Sequence, residues 1–64
     1  MGGEREVIFE FVRVGGAVKV TAVDTASGVE VSIVGDPVAG EPALKRLAQQ
    51  KLSYVLARRG RKDR

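Results

Sequence analysis

The chain contains no cysteine and no histidine. The first absence excludes disulfide stapling and thiolate metal ligation, two of the usual remedies for a small core. The two absences together remove the common general base, the thiol nucleophile and the usual zinc-ligand sets, leaving carboxylates, lysine, serine and one tyrosine for any chemistry. Met1-Gly2-Gly3-Glu4-Arg5-Glu6 carries no apolar stretch, and no run in the chain approaches the ~20 apolar residues of a membrane span. Glu6 also stands where a myristoylation signal has serine or threonine. The expectation is a cytoplasmic, non-enzymatic protein with no cofactor, no metal and no membrane contact.

What the chain does have is alternation. Val7 to Val14 reads V-I-F-E-F-V-R-V, so in an extended strand Val7, Phe9, Phe11 and Arg13 share one side and Ile8, Glu10, Val12 and Val14 the other. Ala17 to Asp24 repeats the pattern, with Val18, Val20 and Ala22 opposed to Lys19, Thr21 and Val23. Gly15-Gly16 between them predicts a two-residue type I′ hairpin, whose central positions both take positive φ. That loop pairs Val14 with Ala17, Phe11 with Val20 and Phe9 with Ala22. Both phenylalanines then lie on the same face as the apolar residues of the second strand, and a one-residue slip would destroy that agreement.

The segment Asp24-Thr25-Ala26-Ser27-Gly28-Val29 predicts a second turn, with an aspartate able to accept local N–H bonds and a glycine suited to a left-handed position. With Asp24 opposite Val29, the third strand adds Val29, Val31 and Ile33 to the apolar side. Gly35-Asp36-Pro37 ends the sheet, because proline cannot donate to a ladder. Glu41-Pro42 opens a helix in which Leu44, Leu47, Ala48, Leu52, Val55 and Leu56 recur at helical spacing. Gly60 is the expected stop, with Arg58 and Arg59 at the negative end of the helix dipole. A helix of this length, about 28 Å, is long enough to lie across the whole sheet.

The predicted architecture is therefore α+β: a two-layer βββα unit, a three-stranded antiparallel sheet packed by one long C-terminal helix. Residues 1–6 are expected to be a flexible N-terminus, 7–59 a single domain and 60–64 a basic C-terminal tail. At 64 residues the domain buries only about 60% of its unfolded surface, so its stability should be marginal. The sheet face away from the helix still carries Ile8, Val12, Val14, Val23 and Val34, more apolar area than a small monomer leaves wet. Those five residues are the candidate subunit interface of a homodimer, with edge-to-edge pairing through the first or third strand as a further route.

The runs Glu6 to Gly15, Val18 to Asp24, Glu30 to Gly35 and Tyr54 to Arg59 resemble a family of short uncharacterised bacterial proteins classed as a domain of unknown function. The resemblance covers about Glu6 to Arg59. It implies a stand-alone cytoplasmic protein with no established activity, and it transfers no functional residue.

Charge supplies the remaining candidates. Residues 58 to 64 hold five of the 11 basic residues and one of the eight acidic ones. Arg58, Arg59, Arg61, Lys62 and Arg64 would attract a phosphate backbone through counterion release, or an acidic protein partner, and otherwise form a solvated helix end. Readout of DNA by the sheet itself is disfavoured, since its free face carries Glu10 and Glu30 against one lysine and has no aromatic for base stacking. Lys51, inside the helix's apolar arc, is expected to pack its stem on the sheet edge and send its ammonium to water. Arg13 is expected to snorkel at the end of the layer or to pair with a helix carboxylate such as Glu41. Tyr54 reads as a boundary packing residue, Glu10 and Glu30 as a solvated pair, and Gly35 to Gly40 as a connector without the residues of a P-loop. The leading expectation is a homodimeric binding or adaptor domain. The alternative is a weak, sequence-independent nucleic-acid binder acting through the basic tail.

Overall fold

Each strand forms where the alternation places it: β1 is Val7–Val14, β2 is Ala17–Asp24 and β3 is Glu30–Gly35. The computed structural model describes residues 6–61, with the side chains of 60 and 61 excepted. The strands lie antiparallel in the order β1-β2-β3, and one helix, α1, Glu41–Arg61, follows. The register is the one the glycine doublet and the phenylalanines require. Phe9 pairs with Ala22, Phe11 with Val20 and Val14 with Ala17, while Val20 pairs with Ile33 and Ala22 with Val31.

The hairpin turn differs from the expectation in type. Gly15 has a φ of 60°, but Gly16 is not in the positive-φ region, so the turn is of type II′ rather than I′. Both types join the strands with two residues, and the pairing is therefore unchanged. The second turn is built around Asp24, which is fully buried. Its Oδ2 accepts from the Ser27 N–H at 3.1 Å and from the Ser27 hydroxyl at 2.7 Å, and the same hydroxyl oxygen accepts the Val29 N–H at 3.1 Å. Gly28, at a φ of 79°, donates its N–H to the Asp24 carbonyl at 2.8 Å, and Asp24 N–H bonds the Val29 carbonyl at 2.9 Å.

Between β3 and α1 lies a single 3-10 turn, Pro37–Ala39, entered through Asp36, whose Oδ1 accepts the Val38 N–H at 3.0 Å. The Gly40 carbonyl takes the first bond of the helix, from Leu44 N–H at 3.1 Å. Gly35 is placed for contact: a Cβ there would overlap the Leu44 side chain, so its absence lets the helix start close against the sheet. The helix does not stop at Gly60 but runs through it to Arg61. The segment read as a tail therefore begins inside the helix, where Gly60 weakens the last turn without ending it. Residues 1–5 and 62–64, including Lys62 and Arg64, lie outside the described residues.

The core is small and lies under the helix. Leu44, Ala48 and Leu52 are buried against Val20, Ala22, Val29 and Val31. Ala22 and Ala48 are both completely enclosed, and two side chains that short bring the helix axis close to the sheet. Two expectations are corrected here. Leu47 is not in the core but 51% exposed, and α1 does not span the whole sheet: it packs on β2 and β3 and leaves β1 to one side. The reason is width, since a helix about 10 Å across covers roughly two strands at about 4.8 Å spacing. Phe9 and Phe11 face the helix layer as expected, yet they are only half-buried, at the margin of the core.

The turn assignment separates two otherwise similar glycines. Gly15→Ala is expected to destabilise the domain by more than about 1 kcal/mol, whereas Gly16→Ala should be neutral or stabilising by up to about 1 kcal/mol. Urea unfolding of the two variants beside the unsubstituted chain checks this. Equal losses would restore a type I′ turn.

Candidate interaction surface

The outer face of the sheet brings the five candidate interface residues onto one surface. Ile8, Val12, Val14 and Val34 are 53%, 49%, 54% and 69% exposed, and Val23 on the central strand is half-buried among them. The register sorts the face into rows. Ile8, Val23 and Glu30 form one, Glu10, Thr21 and Ser32 the next, and Val12, Lys19 and Val34 a third, with Val14 and Ala17 beyond. The apolar residues thus fall at both ends, separated by a polar row in which the Thr21 and Ser32 hydroxyls lie 3.0 Å apart in a hydrogen bond. That pair satisfies two hydroxyls at the centre of a face that could otherwise not be covered cheaply. Periodicity placed both residues on this face, but only cross-strand pairing reveals the bond.

The two edges of the sheet are not alike. Alternation in an antiparallel ladder turns the backbone groups of Glu30, Ser32 and Val34 away from β2, and the Ser32 carbonyl receives the Lys51 ammonium at 2.8 Å. Lys51 therefore guards the β3 edge: its stem crosses the margin as expected, and its charge ends on an edge carbonyl. On β1 the outward backbone groups belong to Val7, Phe9, Phe11 and Arg13, the residues whose side chains face the helix layer. No strand among the described residues pairs with them.

Lys45 supplies a partial cover that the sequence reading missed. Its Nζ sits 5.0 Å from the centre of the Phe9 ring, a cation–π contact across the strip that α1 leaves open. Farther along the same strip is an open depression of about 290 Å3, floored by Phe11, Val18 and Leu44, with Arg13 and Glu41 on its rim. Arg13 is exposed there, at the end of the layer and on the same rim as the carboxylate proposed as its partner.

The basic candidates are only partly gathered. Arg58 and Arg59 are exposed on α1 beyond Leu56, the last side chain packed against the core. Arg58 donates to the Tyr54 hydroxyl at 3.1 Å and places its guanidinium 5.5 Å from the Tyr54 ring centre, an i,i+4 pair readable from spacing alone. Tyr54 is 61% exposed, so it works at the surface rather than at the core boundary. Glu10 and Glu30 are exposed on different rows of the outer face. Among the described residues no group of three or more acidic, histidine or cysteine side chains could hold a metal ion, and no helix is long and apolar enough to cross a membrane.

These features define a small α+β domain of the βββα type, with an open antiparallel sheet half-covered by one helix. Comparison with curated proteins and with solved structures finds no match. The chain belongs to the family described as a domain of unknown function, DUF6898, which it matches over residues 4–59.

The role given to Lys51 has a direct check. Lys51→Met, which keeps the apolar stem and removes the donor, should lower stability by about 0.5–1 kcal/mol. Thermal or urea unfolding measures the difference. A loss of zero would mean that the ammonium contributes nothing to the edge.

Proposed function

We propose that this domain is a non-enzymatic binding or adaptor module that self-associates and presents its outer sheet face to a partner. The observation that carries the reading is the exposure of four large apolar side chains, Ile8, Val12, Val14 and Val34, on one face of a rigid sheet. The sheet makes the surface flat and preorganised, so little conformational entropy is lost when it is covered. The candidate nucleophiles and bases are dispersed: the hydroxyls of the polar row bond each other, and the Asp24 carboxylate is occupied in a turn. Flat apolar surface with dispersed polar groups suits recognition, while acid–base chemistry needs convergent groups in a concave site.

Sedimentation at tens of micromolar is expected to show a species of twice the 6.8 kDa chain mass. A single species at the chain mass throughout would overturn self-association.

A second reading is favoured by Arg58 and Arg59, which lie on exposed helix beyond the core and lead into Arg61, Lys62 and Arg64. In it the domain is a weak, sequence-independent nucleic-acid binder held by backbone charge. Titration with duplex DNA at two salt concentrations, using the full chain and a chain ending at Arg59, distinguishes the readings. Binding that falls steeply with salt and weakens on truncation supports nucleic acid, and no binding at low salt removes it.

A further inference from the structure

The outer face by itself is small for a stable contact between two copies. Three strands of at most eight residues, about 26 Å long and about 14 Å across together, offer a footprint of about 370 Å2, roughly half of what one partner contributes to a standard interface. The β1 edge offers a different kind of contact. It is as long as any strand in the domain, its outward N–H and C=O groups have no strand beside them among the described residues, and Phe9 and Phe11 behind it are half-buried. The opposite edge is shorter and capped by Lys51.

We infer that self-association is edge to edge: β1 of a second copy pairs antiparallel with β1, with Phe11 on the twofold axis, and the phenylalanines of both copies fill the trough between the two helices. This rests on the self-association proposed above and assigns its surface. Three observations select the second copy as the occupant. The helix lies over β2 and β3, so joining two β1 strands leaves between the helices a strip about 10 Å wide that neither helix covers, floored by four phenylalanines and reached by Lys45 over the Phe9 ring. The open depression beside Phe11 and Arg13 lies in that strip, where a side chain from the neighbouring strand would enter.

The third observation is the self-complementarity of the β1 sequence. An antiparallel pair centred on Glu10 would set that carboxylate against its own copy, which is unfavourable at a directly opposed position. Moving the axis to Phe11 keeps the outward-facing backbone groups in register. Phe9 then stands opposite Arg13 of the partner subunit, a ring against a guanidinium, and Glu10 opposite Val12 of the partner subunit. Ile8 faces Val14 of the partner subunit on the outer side. No like charges oppose one another over residues 8–14. The outer face, which this contact leaves open to the partner proposed above, becomes continuous across six strands, and its footprint doubles to about 750 Å2, close to the ~800 Å2 per side of a standard interface.

Amide hydrogen exchange of the unsubstituted chain at low and high concentration tests this directly. The N–H groups of Phe9, Phe11 and Arg13 point away from β2 in the single copy, so their exchange should slow by at least about tenfold as the dimer forms. Two variants followed by sedimentation complete the test. A synthetic chain with N-methyl-phenylalanine at position 11 keeps the ring and loses only an outward N–H, and it should retain the circular dichroism spectrum but remain at the chain mass. Val34→Lys, on the outer face of the far strand, should still dimerise. A dimer whose Phe9, Phe11 and Arg13 amides stay unprotected, or one that persists with the N-methylated strand, overturns the edge contact and leaves self-association standing. A dimer lost on Val34→Lys moves the contact to the outer face. A chain that is monomeric at every concentration overturns both proposals.

Discussion

A single helix is too narrow for the sheet it covers. Most of the other features follow from that mismatch. The helix settles where burial is greatest, with two alanines bringing it close to the central strand and Leu44 and Leu52 closing over the sheet on either side of Ala48 in sequence. The strand left outside carries both phenylalanines, the largest apolar side chains of the sheet. Among the described residues no second helix finishes the cover, and so the margin of the core is also surface.

The means by which the chain manages its exposed parts are local and cheap. Lysines are used twice as covers: Lys51 caps an edge carbonyl on one side, and Lys45 shields a ring on the other. Each keeps its charge near water while its stem lies over apolar or backbone surface. The two hydroxyls in the middle of the outer face satisfy each other, beside the exposed carboxylate of Glu10 in the same row. Asp24 is the exception to shallow burial, and it is held by donors from its own turn.

The match to the DUF6898 family over residues 4–59 takes in all three strands and all but the last two residues of the helix. The features that could serve a function lie outside its core, on the outer face, along the β1 strip and at the end of the helix. A surface built that way can vary in sequence without disturbing the residues that fold the domain.

Strand boundaries, pairing register and the start of the helix were legible in the residues, because period-two alternation, a glycine doublet and a proline act over a few positions. The match of Phe9 and Phe11 to Ala22 and Val20 followed from counting back from Gly15-Gly16. Three things were not legible. The sign of φ at Gly16 was hidden because glycine accepts either, and the end of the helix because packing and helix continuity outweighed one unfavourable residue. The third was lateral: periodicity says which side of a helix faces the sheet, but it cannot say which strands lie beneath it. That depended on Ala22 and Ala48 entering one core, on Leu44 fitting over Gly35 and on Lys51 reaching Ser32, arrangements of residues far apart in the chain. The sequence by itself therefore determined the elements and their register, which are matters of local geometry. Only the tertiary structure decided which edge is guarded and which lies open, because that is set by where a helix comes to rest.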